Sequence, residues 1–178
     1  MAEIHLPEPA NLIVGIIATG RDVIAQGRAT LESRFGAIDD ESEVIDFRFT
    51  DYYQPEMGEG LVRTWLSFRP LRPRDRLAEI KRATSLLEDQ FRGADGRRRL
   101  NLDPGMLTKH SLVLATTKDY SHRIYLGQGI FAEVALIYEH GRLQPQRWTY
   151  PDYQSEATTT FLLRVRARYV EKLRALPS

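Results

Sequence analysis

The stretch LIVGIIA, Leu12 to Ala18, decides how the rest of the chain is read. It is a continuous apolar run of strand length, closed by Thr19-Gly20. A strand with no polar alternation is one covered on both faces, so it belongs in the middle of a sheet. Working outward, Val23, Gly27, Leu31 and Phe35 recur every four residues and Gly36 follows, which predicts an amphipathic helix ended by a left-handed residue. EVIDFRFT (43–50) then alternates, with Ile45, Phe47 and Phe49 on one face and Asp46 and Arg48 on the other, as a half-buried strand does. LVRTWLSF (61–68) is a further strand, and after Pro73 the residues Leu77, Ile80, Thr84, Leu87 and Phe91 predict a second helix. RRRLNL (97–102) leads into Asp103-Pro104-Gly105, whose composition predicts a turn.

SLVLATT (111–117), a hairpin around Gly127-Gln128-Gly129 and LQPQRW (143–148) add strands. Ser155 can cap a third helix carrying Thr158, Leu162, Val165, Tyr169, Leu173 and Leu176 on one face. The order β-α-β-β-α-β, then a meander and a helix, predicts an α+β protein. Its mainly antiparallel sheet is a ferredoxin-like split βαβ core extended by a C-terminal strand meander and helix.

One domain, residues 1–178, accommodates this length, with residues 1–10 as a loose N-terminal arm. Acids and bases nearly cancel, 24 against 25, so no global field draws the chain to nucleic acid or anionic lipid. The absence of cysteine excludes thiolate metal sites and thiol nucleophiles and fits a reducing, cytoplasmic setting. Nothing reaches the roughly 18 apolar residues of a membrane span, so no membrane partner is expected.

Charge packed into an apolar hairpin marks the first candidate site. If Gly127-Gln128-Gly129 is the loop, Leu126 pairs with Ile130, Tyr125 with Phe131, Ile124 with Ala132, Arg123 with Glu133, and His122 with Val134. Arg123 and Glu133 then brace each other across the strands. His122 shares the other face with Ile124, Leu126, Val134 and Leu136, where a histidine is expected to be mostly buried and to need a partner. Lys118 and Asp119 precede it in a segment where the strand breaks. Asp51, Tyr52 and Tyr53 follow a strand end, where side chains are free to meet a ligand. Trp148 and Tyr150, in WTYPDY (148–153), supply either a stacking platform or a core cap. The bases Arg164, Arg168 and Lys172 read as solvated charge on a helix.

Nucleophile-elbow, His-Glu-x-x-His, Rossmann-glycine and phosphate-loop motifs are all missing. TTKDY (116–120) lacks the residue that the guanine-reading motif of GTPases places between lysine and aspartate. The residues therefore point to binding of an anionic small molecule, a nucleotide or phosphorylated metabolite. Lys118 and Arg123 would hold the anion, His122 would move a proton, and Asp51, Asp103 or Asp119 would orient groups or hold a divalent metal ion through oxygen. The alternative is a non-catalytic interaction protein docking a protein or RNA partner. Side chains converging in one concave pocket favour the first reading, and a flat exposed surface favours the second.

FTDYY…EMG, RRLNLDPG, LVLATTKDYSHRIYLGQGIFAEV and WTYPDY occur in this order over most of the chain. Together they resemble the bacterial family called domain of unknown function 4416. The resemblance implies a bacterial origin and supplies no activity or mechanism.

Overall fold

The computed structural model of the protein describes residues 3–177. Nine strands and four helices follow in chain order: β1 Ala10–Ala18, α1 Arg21–Phe35, β2 Ile38–Glu41, β3 Ile45–Asp46, α2 Gln54–Met57, β4 Val62–Arg72, α3 Leu77–Gln90, β5 Leu100–Leu107, β6 Ser111–Thr116, β7 Ile124–Gly127, β8 Ile130–Glu139, β9 Arg142–Pro145 and α4 Glu156–Arg174. The strands form one antiparallel sheet ordered β2-β4-β1-β5-β6-β8-β7, with β3 also on β4 and β9 also on β8. The first four places are those of a split βαβ core, and β6 to β9 are the predicted extension. Of the N-terminal arm, residues 1 and 2 lie outside the described residues. Residues 3–9 have no regular structure, although Glu8 and Pro9 already accept hydrogen bonds from Arg74, Lys109 and Tyr169.

All nine residues of β1 are buried, as its unbroken apolar run requires, and it lies between β4 and β5. Leu12, Val14 and Ile16 face α1 and α3 in one core, while Ile13 joins Trp65, Tyr153, Phe161 and Leu162 under α4 in a second. The bases of α4 are paired rather than free, although Arg164 and Arg168 keep 48% and 38% of their side-chain exposure. Arg164 grips Asp40 through two hydrogen bonds of 2.8 and 2.9 Å, and Arg168 meets the same carboxylate at 3.0 Å. Lys172 reaches Asp39, Asn11 and the Phe68 carbonyl. These contacts fasten α4 to the β2 edge, an edge that sequence periodicity does not reveal because IDDE (38–41) has no apolar alternation.

Three local expectations are corrected. The 43–50 stretch keeps its alternating exposure, but its ladder with β4 is short: Ile45 and Asp46 pair with Arg63 and Val62, the Phe47 amide donates to Leu61 O at 2.8 Å in the same register, and regular strand stops there. The hairpin has a two-residue loop, Gln128-Gly129, both with positive φ as a primed turn demands. Ile124 and Tyr125 pair as predicted, but Leu126 is bulged out and Gly127 takes its place opposite Ile130. On this edge strand Ile124 and Leu126 are exposed, 69% and 42%, rather than part of a buried apolar face.

Asp103-Pro104-Gly105, the third, is no turn: it lies inside β5, paired throughout with β1. On its other side β5 pairs with β6 only through Gly105, Met106 and Leu107. The Leu102 amide and carbonyl point away from β1, to Glu88 and Lys81 of α3, each at 2.7 Å. By the two-residue period of a strand, position 104 faces the same way, and proline has no N–H to offer β6 there. The sheet forks at that point, and α3 satisfies the backbone of the freed arm.

Gly15 of β1 sits beneath this region, where an added Cβ would lie 2.7 Å from Arg63 Nη2 and 3.0 Å from the Tyr153 hydroxyl. Arg63 is fully buried and cannot yield. Gly15→Ala is expected to cost about 1–3 kcal/mol through overpacking, read as a lowered midpoint in urea unfolding. A midpoint equal to that of the parent contradicts the packing described.

Candidate functional site

The fork opens into a cavity of about 600 Å³. Its floor is Asn101 and Asp103 of β5 with Lys81, Ser85 and Glu88 of α3; one wall is Leu114 to Lys118 with Glu133 of β8. The other walls are Phe47, Phe49, Thr50, Tyr52 and Tyr53 on one side and Trp148 with Tyr150 to Tyr153 on the other. Of the ten residues selected from sequence, eight line it: Tyr52, Tyr53, Asp103, Lys118, His122, Arg123, Trp148 and Tyr150. Asp51 lies outside, exposed, where it accepts a hydrogen bond from Gln54. Asp119 is exposed and is likewise not part of the lining.

Glu133 organises one wall. Its Oε2 receives Arg123 Nε at 2.6 Å and His122 Nε2 at 3.0 Å. The Arg123–Glu133 contact forms as predicted, although Arg123 immediately precedes β7 rather than lying in it, and His122 is corrected. Residues 117–123 are irregular, with a turn closed by the Arg123 amide on Tyr120 O, and not strand, so His122 leaves the apolar face and turns to Glu133. Its side chain is 21% exposed and its ring stacks on Trp148, with centroids 4.8 Å apart and planes 14° apart. Trp148 is held in turn by its Nε1–H on the Val134 carbonyl at 2.9 Å. Arg123 is no free anion holder. Its Nη1 donates to Lys118 O and its Nη2 to the Tyr150 hydroxyl, so each nitrogen has a protein partner. Lys118 is different: its ammonium touches only the Tyr52 hydroxyl, at 2.5 Å, and the Tyr52 ring, at 3.9 Å. Among the described residues it is the one cation of the lining with no carboxylate within 4.0 Å.

The floor rests on Arg63, a residue not selected from sequence. Its guanidinium meets Asp103 Oδ2 through Nη1 at 3.0 Å and Asp152 Oδ2 through Nη2 at 2.9 Å, the second contact being a close ion pair without hydrogen-bond alignment. It also lies over the rings of Trp65 and Tyr153, 4.6 and 5.2 Å from their centroids. Burial pushes the Asp103 carboxyl up, but Arg63, Lys81 and the bonds from Arg63 and Asn101 outweigh it and hold Asp103 below the ordinary carboxylate range. For Asp152 burial wins over Arg63 and the carboxyl is pushed up; for Glu88 burial wins over Lys81 and the Leu102 amide. Burial likewise raises the Tyr53, Tyr150 and Tyr153 hydroxyls, which therefore remain protonated donors at neutral pH. Among the described residues no group of three or more His, Cys, Asp and Glu is placed to hold a metal ion, and the three aspartates suggested for that purpose do not meet. No helix among them is long and apolar enough to cross a membrane.

Fold and site define an α+β protein of split βαβ type, with a polar and aromatic pocket in a forked sheet. Over residues 8–169 the chain matches the family described as domain of unknown function (DUF4416), and it belongs to that family. No curated protein and no solved structure matches it.

Removing Arg63 tests the electrostatics of the floor. Arg63→Leu leaves two carboxyls without their cation and is expected to cost about 3–5 kcal/mol, less the share of Asp103 that pocket water screens. In the parent, Asp103 contributes stability above the ordinary carboxylate pKa and loses it as pH falls through its lower folded value. Without Arg63, burial raises both carboxyls and their ionisation opposes folding as pH rises. The stability gap between parent and variant should therefore widen from about pH 4 to pH 7. A gap that is constant across that range contradicts the assignment.

Proposed function

We propose that the protein binds an anionic small molecule in this pocket, a nucleotide or phosphorylated metabolite, with the anion at Lys118 and a flat group between the aromatic walls. The observation that carries the reading is convergence: eight separately chosen residues from four stretches of chain line one cavity of about 600 Å³. That volume lies within the roughly 300–1,000 Å³ of small-molecule sites. Support for an anion comes from the unpaired Lys118 ammonium, and support for a ring comes from Tyr52, Tyr53, Trp148 and Tyr150, whose faces and edges suit stacking. The concavity of the site speaks against docking of a protein or RNA through the same residues. His122, joined to Glu133, is the group that would carry a proton in any turnover. A cytoplasmic setting and a bacterial source accompany this reading, on the strength of the cysteine-free composition and the family resemblance.

A thermal-shift screen of nucleotides, phosphorylated metabolites and inorganic phosphate tests the proposal. A ligand at about 100 times its dissociation constant stabilises by roughly 2.7 kcal/mol. At least one anionic compound should raise the melting temperature, and Lys118→Ala should remove that rise while melting alone like the parent, because Lys118 is exposed. A rise that survives Lys118→Ala, or a screen with no rise, contradicts it. His122→Gln should keep the rise and lose any turnover.

A further inference from the structure

The two ends of the pocket differ in what they can still bind. At the deep end the cations are spent: Arg63 on Asp103 and Asp152, Lys81 on Leu102 O and Glu88, and Arg98 on Asn101, Glu56 and Glu88. Asp103 has capacity left. Both hydrogen bonds it accepts, from Arg63 Nη1 at 3.0 Å and Asn101 Nδ2 at 3.1 Å, arrive on Oδ2. Its Oδ1 accepts none from the described residues, and the side chain keeps 26% exposure in the lining of the cavity. Tyr153, 1% exposed and in the same lining, has a hydroxyl with no partner. At the mouth stands Lys118, free of carboxylates.

From this polarity we propose that the ligand lies with a planar, N–H-bearing group, an amidine or amino-heterocycle, donating to Asp103 Oδ1 at the deep end, and with its anion at Lys118. The assignment rests on the small-molecule reading above and fixes the class and direction of the ligand within it. A phosphate or carboxylate cannot reverse the arrangement: at the floor it would meet an ionised Asp103 in a partly desolvated site, where like charges about 4 Å apart repel by several kcal/mol even at an effective dielectric of 20. An N–H donor there gains a charge-assisted hydrogen bond, which is about twice as strong as a neutral one. A ligand without that donor leaves Asp103 Oδ1 desolvated and unpaired, the circumstance in which sites discriminate most sharply.

Two rings of the same size and opposite charge decide the matter: benzamidine and benzoate, each titrated into the ¹⁵N-labelled full chain and followed by amide chemical shifts. Benzamidine should move the amides of Asn101 to Asp103, and Asp103→Asn should weaken it about tenfold or more, the loss of one charge-assisted bond. Benzoate should move the amides around Lys118, leave Asn101 to Asp103 unmoved, and bind Asp103→Asn at least as well as the parent, which also reports that the variant is folded. Benzoate binding the parent at Asn101 to Asp103 as tightly as benzamidine overturns the direction while leaving the pocket standing. Benzamidine binding that is indifferent to Asp103→Asn does the same. If neither ring moves any residue of the lining, the pocket reading itself falls and the assignment with it. The parent titrations alone decide the direction should Asp103→Asn fail to fold.

Discussion

A proline without an amide hydrogen, at the place where one strand would have to pair with the next, governs this structure. Pro104 sits in a strand that is otherwise bound to β1 along its whole length. Its missing donor falls on the β6 side, and there the ladder stops after three pairs. A buried strand edge cannot be left unpaired, because each orphaned backbone group forfeits a hydrogen bond. Lys81 and Glu88 of α3 take the place of the missing strand at Leu102. The fork is thus a gap with satisfied edges, and the cavity occupies it. Gly105, immediately after the proline, lets the strands close again: a Cβ there would lie 2.7 Å from Leu114 Cδ2.

Arg63 provides the electrostatic counterpart. A guanidinium with no exposed surface can persist only with partners, and it has two carboxylates and two aromatic faces. Such an arrangement is weak evidence of stabilisation, since desolvation of the three charges offsets much of their attraction. Its effect is local. It keeps Asp103 ionised on the pocket floor and leaves Asp152, more deeply buried, displaced in the other direction. The mouth and the floor acquire opposite character: a lysine with no acid partner at one end and a carboxylate with an unused oxygen at the other.

The fold was legible because its signals were periodic. β1, α1, α3 and α4 follow from apolar spacing, and the Arg123–Glu133 pair follows from counting back along a hairpin. Non-periodic features were not legible. β2 carries IDDE, and its position depends on the bases of α4 more than a hundred residues away. Asp103-Pro104-Gly105 has the composition of a turn, and only the neighbouring strand makes it extended. Arg63 did leave a signal, a single charge within LVRTWLSF that must be paired if the strand is central, but nothing in the sequence marks Asp103 and Asp152 among its 24 acids as the partners. Lys81 and Glu88 left none, because on a helix they look like any residues beside an apolar stripe. His122 was misplaced since the strand was extended two residues too far, into a turn that lets it reach Glu133.

Everything assigned to the pocket requires that the fork be open in solution. Cross-strand nuclear Overhauser effects measured on the labelled full chain test this most directly. Contacts between β5 and β6 should end at the Gly105–Leu114 pair, with the Leu102 amide protected from exchange by its bond to Glu88 and with no cross-strand contact from Asn101, Leu102 or Asp103 to Ala115 or Thr116. Backbone contacts between Asp103 and Ala115 or Thr116, together with a Leu102 amide that exchanges like an exposed loop, would show a closed sheet and contradict the account.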